Sequence, residues 1–167
     1  IIDYAKLGNF GLIIILKDSW LQTHGHYEIN TKGFPDGRAS IKRMVDKIHA
    51  AGMGAGVHVF GPSISPHDPY VTPKPYDRLA SIPCPPLAQA IDEKATTLTF
   101  NDQPNLPPKN VETQAFPNKY LRIGDEIIRY GEAVEGQPFA YTGCARGVLG
   151  TKAEAHAAGA EVKGLLA

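Results

Sequence analysis

The sequence predicts an α+β composite: a parallel βαβ unit in its first third, then a small antiparallel β domain of barrel or sandwich type. Three observations carry this. Two apolar runs, GLIIIL (residues 11–16) and GAGVHVF (residues 54–60), flank an amphipathic helical pattern. Proline occurs before residue 60 only at Pro35 and then crowds in from Pro62 to Pro117, so the composition breaks near Gly61. Beyond the break, short alternating segments gather around glycine turns, most plainly YLRI and EIIRY about Gly124-Asp125. The expected organisation is a βαβ segment over 1–60, a proline-rich linker over 61–80 and an antiparallel domain over 81–167.

Residues 2–7 read as the end of a helix, with Gly8 expected in a left-handed cap. Residues 12–16 are continuous aliphatic sequence, too short for a helix and rich in β-branched side chains, as in a strand covered on both faces. Over 40–51, Ile41, Met44, Val45 and Ile48 recur at helical spacing, with Lys42, Arg43, Asp46 and Lys47 opposite, and Gly52 closes the helix. Residues 54–60 form the second buried strand, parallel to the first because a helix connects them. The stretch over 61–80 is extended and proline-studded. Strands are then expected over 96–100, 120–123, 126–130, 139–144 and 161–166, with a long loop over 101–118 and one or two helical turns in the alanine-rich 153–158.

Composition limits the function. Lys plus Arg number 17 and Asp plus Glu 17, so net charge favours neither nucleic acid nor an anionic membrane, and a neutral ligand fits better. No apolar run approaches the roughly 20 residues of a membrane helix. The two cysteines, Cys84 and Cys144, are far apart and form no metal or redox motif; free, mostly buried thiols are expected, and the compartment stays open. With Ile1 in place of methionine, an internal piece or a processed product is expected.

Chemistry is expected where the strands end, since loops after the carboxyl ends of parallel strands build the sites of α/β folds. Lys17, Asp18 and Trp20 follow the first strand, His58 lies late in the second, and the loop between holds His24, His26, Tyr27 and Glu28. A carboxylate, an indole and imidazoles at one mouth suit a polyol, whose hydroxyls take hydrogen bonds and whose ring face stacks on an aromatic. The plainer readings are a helix cap for Asp18 and core positions for Trp20 and His58. His24-Gly25-His26 lacks a clear third ligand, so neither metal nor cofactor is expected. In the second half, Tyr120, Tyr130, Phe139 and Tyr141 fall on neighbouring strands and would form a stacking platform wherever they share a solvent face.

Two resemblances sharpen these expectations. IIILKDSW, then FPDG (Phe34 to Gly37), then IKRMVDKIHAAGMGAGVHVF resembles the second strand, second helix and third strand of alpha-galactosidase-like glycoside hydrolases, the clan of families 27 and 36. It implies a TIM, or (β/α), barrel of which residues 1–60 are a part. It also implies that Asp18 binds sugar hydroxyls and that Trp20 belongs to the sugar pocket. Lys17 stands where the family has an acid and Ser19 where it has glycine, which departs from galactose specificity. The family's catalytic carboxylate pair lies on later strands and is absent from this chain.

YLRIGDEIIRYGE and TGCARGVLGTKAEAHAAGAEV resemble a small β module of phage tail and fibre proteins, also found inserted in barrel proteins. In that module Arg146, Gly147, Gly150, Thr151, His156 and Gly159 read as turn and loop-pinning residues, Thr151 as a cap for the alanine-rich helix. The resulting expectation is a glycoside-hydrolase-like fragment carrying a nested carbohydrate-recognition domain over the active-site mouth. It would bind an oligo- or polysaccharide, in an extracellular or periplasmic setting if it acts on polysaccharide. The open strand pair would be covered by the rest of the barrel or a second copy of the chain. The alternatives are a stand-alone, non-catalytic carbohydrate-binding module and a structural or assembly module with no small ligand.

Overall fold

The computed structural model describes residues 1–59, 61, 63–105, 119–134 and 136–166. They form a mixed α+β fold with few helices, divided into two units, Ile1–Ser65 and Pro66–Ala167. Most of the expected 101–118 loop, from residue 106 on, lies outside the described residues.

The first unit runs α1 (Ile2–Leu7), β1 (Leu12–Ile15), a single helical turn α2 (Lys17–Trp20), α3 (Arg38–Ala50) and β2 (Gly54–Val57). β1 and β2 are parallel, with Leu12 opposite Gly54 and Ile15 opposite Val57. Ala5 of α1, Ile48 of α3 and Met53 are buried together, with Ile13 and Ala55 packed against them. The helices therefore cover one face of the strand pair. The other face is bare: Leu12 is 52% exposed and Ile14 56%. The expectation that this strand is covered on both faces does not hold in this unit, because two strands and their helices supply only one covering layer. Gly8 is also not left-handed, at φ −83°; the positive φ falls on Asn9 at 53°, one residue later.

The second unit contains β3 (Ser81–Cys84), β4 (Thr97–Phe100), β5 (Tyr120–Ile123), β6 (Glu126–Arg129), β7 (Glu132–Val134), β8 (Phe139–Thr142) and β9 (Val162–Leu165). They make two antiparallel sheets, ordered β3-β9-β5-β6 and β4-β8-β7. The β5–β6 hairpin turns at Gly124 with φ +58°, a conformation that costs glycine little. Alternation along its strands sends Leu121, Ile123, Ile128 and Tyr130 into the core shared with Leu98, Phe100 and Tyr141 of the other sheet. Ile127, one residue out of phase, faces the opposite side, where Val71, Leu165, Leu79 and Leu149 cover it.

The proline-rich stretch is partly this cover. Asp68, Val71 and Pro75 are buried, and Arg122 fastens the segment by donating to the Tyr76 carbonyl at 3.0 Å and to Asp77 at 2.7 Å. Residues 153–158 form no helix. The His156 N–H donates to the Ile91 carbonyl and the Ile91 N–H to the His156 carbonyl, so partners distant in sequence replace the i−4 bonds a helix would need. Thr151 caps no helix either; its Oγ1 accepts the Ile127 N–H and donates to the Val148 carbonyl.

Candidate functional site

Two groups of polar residues stand out, one in each unit. In the first, the β1 and β2 carboxyl ends lie side by side, and the His58 N–H donates to the Ile15 carbonyl at 2.9 Å. The chain turns at once into α2, so Lys17, Asp18 and Trp20 follow directly from the strand end. Lys17 Nζ pairs with Asp18 Oδ1 at 2.5 Å, leaving the Asp18 side chain 82% exposed. Such an exposed neighbouring pair adds little stability, so its carboxylate is available for other partners.

Trp20 is partly buried, and its Nε1 is enclosed with no hydrogen-bond partner among the described residues. The following loop folds back on itself: the Gln22 N–H donates to the Glu28 carbonyl and the Asn30 N–H to the Trp20 carbonyl. The His24 and Tyr27 rings meet on this loop, centroids 6.3 Å apart and inclined at 53°. The Ser65 N–H donates to the His24 carbonyl at 2.9 Å, tying the loop to the segment that follows β2. His26 lies in the same loop. Among the described residues no group of three His, Cys, Asp or Glu side chains is placed to hold a metal ion. No described helix is long and apolar enough to cross a membrane.

The second group is internal. Glu126 opens β6 on the same face as Ile128 and is completely buried. Its Oε1 accepts from Arg146 Nε at 2.8 Å and the Gly147 N–H at 2.9 Å. Its Oε2 accepts from Arg146 Nη2 at 2.8 Å and the Glu154 N–H at 3.2 Å, and lies 2.7 Å from His156 Nε2. An ionised carboxylate has only acceptors to offer, so His156 carries its hydrogen on Nε2. Burial alone would push the Glu126 carboxyl up; the Arg146 and His156 side chains and the two backbone N–H groups outweigh it and hold it below the ordinary glutamate range. Arg146 also donates to the Asp92 and Glu154 carbonyls. The cluster thus clasps the start of β6, the Asp92 turn and the segment from Arg146 to His156.

This bears on several expected site residues. Arg146 and His156 are loop-pinning groups, in line with the structural reading of their motif. Tyr141 and Tyr130 are 1% and 6% exposed and stack on each other with centroids 4.2 Å apart, so they are core and present no platform to solvent. Burial, with the nearby Cys84 and Tyr130, pushes the Tyr141 phenol up. Phe139 packs partly buried against the same core, and Tyr120 against the cluster on the sheet's other side. Alternation had allowed either face for these aromatics; the partner sheet decides. Glu126 was missed, although a single carboxylate in phase with Ile128 in EIIR was a legible sign of an inward-facing charge. Cys84 and Cys144 are free thiols.

No protein-family model, curated protein or solved structure matches the chain.

Proposed function

We propose that the chain is a carbohydrate-binding piece of a glycoside-hydrolase-like (β/α) barrel, holding a neutral glycan at the strand ends of its first unit and carrying no catalytic pair of its own. The observation that carries the reading is the Lys17–Trp20 turn at the end of β1: an Asp18 carboxylate 82% exposed and an indole, next to the end of β2, which His58 follows. The carboxylate accepts from sugar hydroxyls, and the Trp20, His24 and Tyr27 rings offer apolar faces.

Trp20 is the only tryptophan, so its fluorescence reports on this site directly. Titration with a panel of neutral oligosaccharides is expected to shift its emission. Asp18→Ala is expected to weaken the response about tenfold or more, since a hydrogen bond to a charged group is worth about 1.5–3 kcal/mol. A folded chain whose emission no glycan changes at millimolar concentration overturns the proposal.

For the Pro66–Ala167 unit, burial of Tyr130, Tyr141, Arg146 and His156 favours the alternative of a structural or assembly module with no small ligand. In an NMR titration that reading requires glycan-induced shifts to stay within residues 1–65. Shifts centred on the second unit would restore carbohydrate recognition there.

A further inference from the structure

We propose that the Cys84 thiol is a site of oxidation to the sulfenic acid, with the added oxygen held by the Tyr141 hydroxyl. The site lies in the second unit and stands independently of the glycan reading.

Tyr141 carries a polar group without a partner. Its side chain is 1% exposed, and its hydroxyl is enclosed with no hydrogen bond among the described residues. Such a hydroxyl forfeits the hydrogen bonds it has in water, and native cores leave few groups in that condition. The ring cannot swing away to find one. Tyr130 stacks on it with centroids 4.2 Å apart, and Phe100 meets it edge-on at 5.3 Å.

The polar neighbour is Cys84, which reaches Tyr141 from the facing sheet. β3 pairs with β9 so that Cys84 lies opposite Val162 and Ile82 opposite Gly164. Cys84 therefore shares the inward face of Val162, and it packs partly buried against the core that holds Tyr141. Gly164 puts no side chain beside it, where a Cβ would lie 3.5 Å from the Cys84 sulfur. The thiol and the phenol are close enough to perturb each other's ionisation, yet the hydroxyl makes no hydrogen bond to the sulfur. Sulfur is a weak acceptor, and an oxygen bonded to it is a better one.

Oxidation by a hydroperoxide supplies that oxygen. The Cys84 sulfur attacks the terminal peroxide oxygen; the S–O bond forms, the O–O bond breaks, and the thiol proton leaves with the other oxygen as an alcohol or water. Sulfur gives up two electrons and the peroxide takes them. Burial holds the Cys84 thiol above its ordinary range, so the reaction is slow at neutral pH and quickens as pH rises. What the site favours is the product. The sulfenic oxygen gives the Tyr141 hydroxyl its missing acceptor, while a charged sulfinate would be opposed by the same burial. Cys144 is the internal comparison: it is buried, and its thiol donates to the main-chain carbonyl of Tyr141 instead.

The test treats the full chain with hydrogen peroxide at mildly alkaline pH, traps sulfenic acid with a cyclic diketone after increasing delays, and locates the adduct by peptide mass spectrometry. Thermal melts of the reduced and oxidised forms accompany it, all in wild type and in Tyr141→Phe, which deletes only the hydroxyl. The proposal expects trapping at Cys84 and not at Cys144, and a higher melting temperature for the oxidised than for the reduced wild type. Reduced Tyr141→Phe should be at least as stable as reduced wild type, since a partnerless buried hydroxyl is gone. Its melting temperature should not rise on oxidation, and its sulfenic acid should decay about fivefold faster. A native wild type that yields no adduct at Cys84 overturns the proposal. A sulfenic acid equally long-lived and equally stabilising in Tyr141→Phe overturns it as well, and assigns the oxidation to exposure alone. Should Tyr141→Phe fail to fold, the wild-type melts decide: no rise on oxidation overturns the proposal.

Discussion

Glu126→Gln isolates the inner clasp of the second unit. The side chain is completely buried, and the substitution keeps its shape while removing its charge. It also turns an NH₂ group toward an oxygen site that now receives only donors, from Arg146, His156 and two backbone N–H groups. Arg146, its side chain 6% exposed, is left as a buried cation without its carboxylate. Breaking a buried pair from one side costs about 3–5 kcal/mol, a large share of the roughly 5–15 kcal/mol that holds a domain folded. At about 4 °C per kcal/mol for a domain of this size, the melting temperature should fall by at least about 12 °C. The pH dependence gives an independent check. Because the folded carboxyl is held below its ordinary value, its contribution is fully present above the unfolded glutamate range and is lost as pH falls through the folded value. Wild type should therefore lose stability on acidification through and below about pH 4.5, and Glu126→Gln should lack that component. Circular dichroism melts from neutral to acid pH measure both. A variant within about 0.5 kcal/mol of wild type at neutral pH, or an acid limb unchanged by the substitution, would refute the assignment of Glu126 as the charged centre of the clasp.

Two further outcomes concern the same unit. Gly147→Ala and Gly124→Ala both place alanine at positive φ, 57° and 58°, but only the first meets backbone, with its Cβ 2.6 Å from Ala153 N. Gly124→Ala should cost about 1–2 kcal/mol in denaturant titration, and Gly147→Ala distinctly more; equal costs would mean that the segment at Ala153 gives way freely. Burial pushes the Cys144 thiol up to about 11 and also raises that of Cys84. At pH 8 about one thousandth of Cys144 is then thiolate, so an alkylating reagent should label it only as the protein unfolds. Rapid labelling of Cys144 in the native protein would contradict its burial.

Much of the architecture was legible because local pattern and tertiary context agree. Residues 120–129 alternate, turn at a glycine and pair as the alternation demands, and the 38–50 helix follows its 3.6-residue apolar stripe. The misreadings in the second unit share one cause, which is that a partner from elsewhere in the chain outbid a local preference. Alanine-rich 153–158 has helical composition, yet Glu126 and Ile91 take its backbone groups. Tyr130 and Tyr141 sit on strands that could turn either way, and the opposing sheet makes them core. β3 carries Pro83 and was not foreseen as a strand; it lies at the edge of its sheet, where a missing N–H is tolerated. At the candidate glycan site, sequence placed Asp18, Trp20 and His58 at neighbouring strand ends, and the β1–β2 register does so too. It had no means of showing that Lys17 would engage Asp18, because that contact depends on the one-turn helix that follows β1.

The two units stand differently toward their own cores, and this connects the strand edge to the candidate site. In the second unit, buried residues from both sheets close on one another and even the charges are satisfied inside. In the first, Ala5, Ile48 and Met53 form the buried cluster, while Leu12, Ile14 and Leu16 stay more than half exposed. A parallel pair with one covered face is marginal by itself. A partner that covered this strand pair would therefore add stability, growing by mass action with the partner's concentration. β1 runs straight into the turn bearing Lys17, Asp18 and Trp20, so fixing the strand also fixes the groups proposed to hold the sugar.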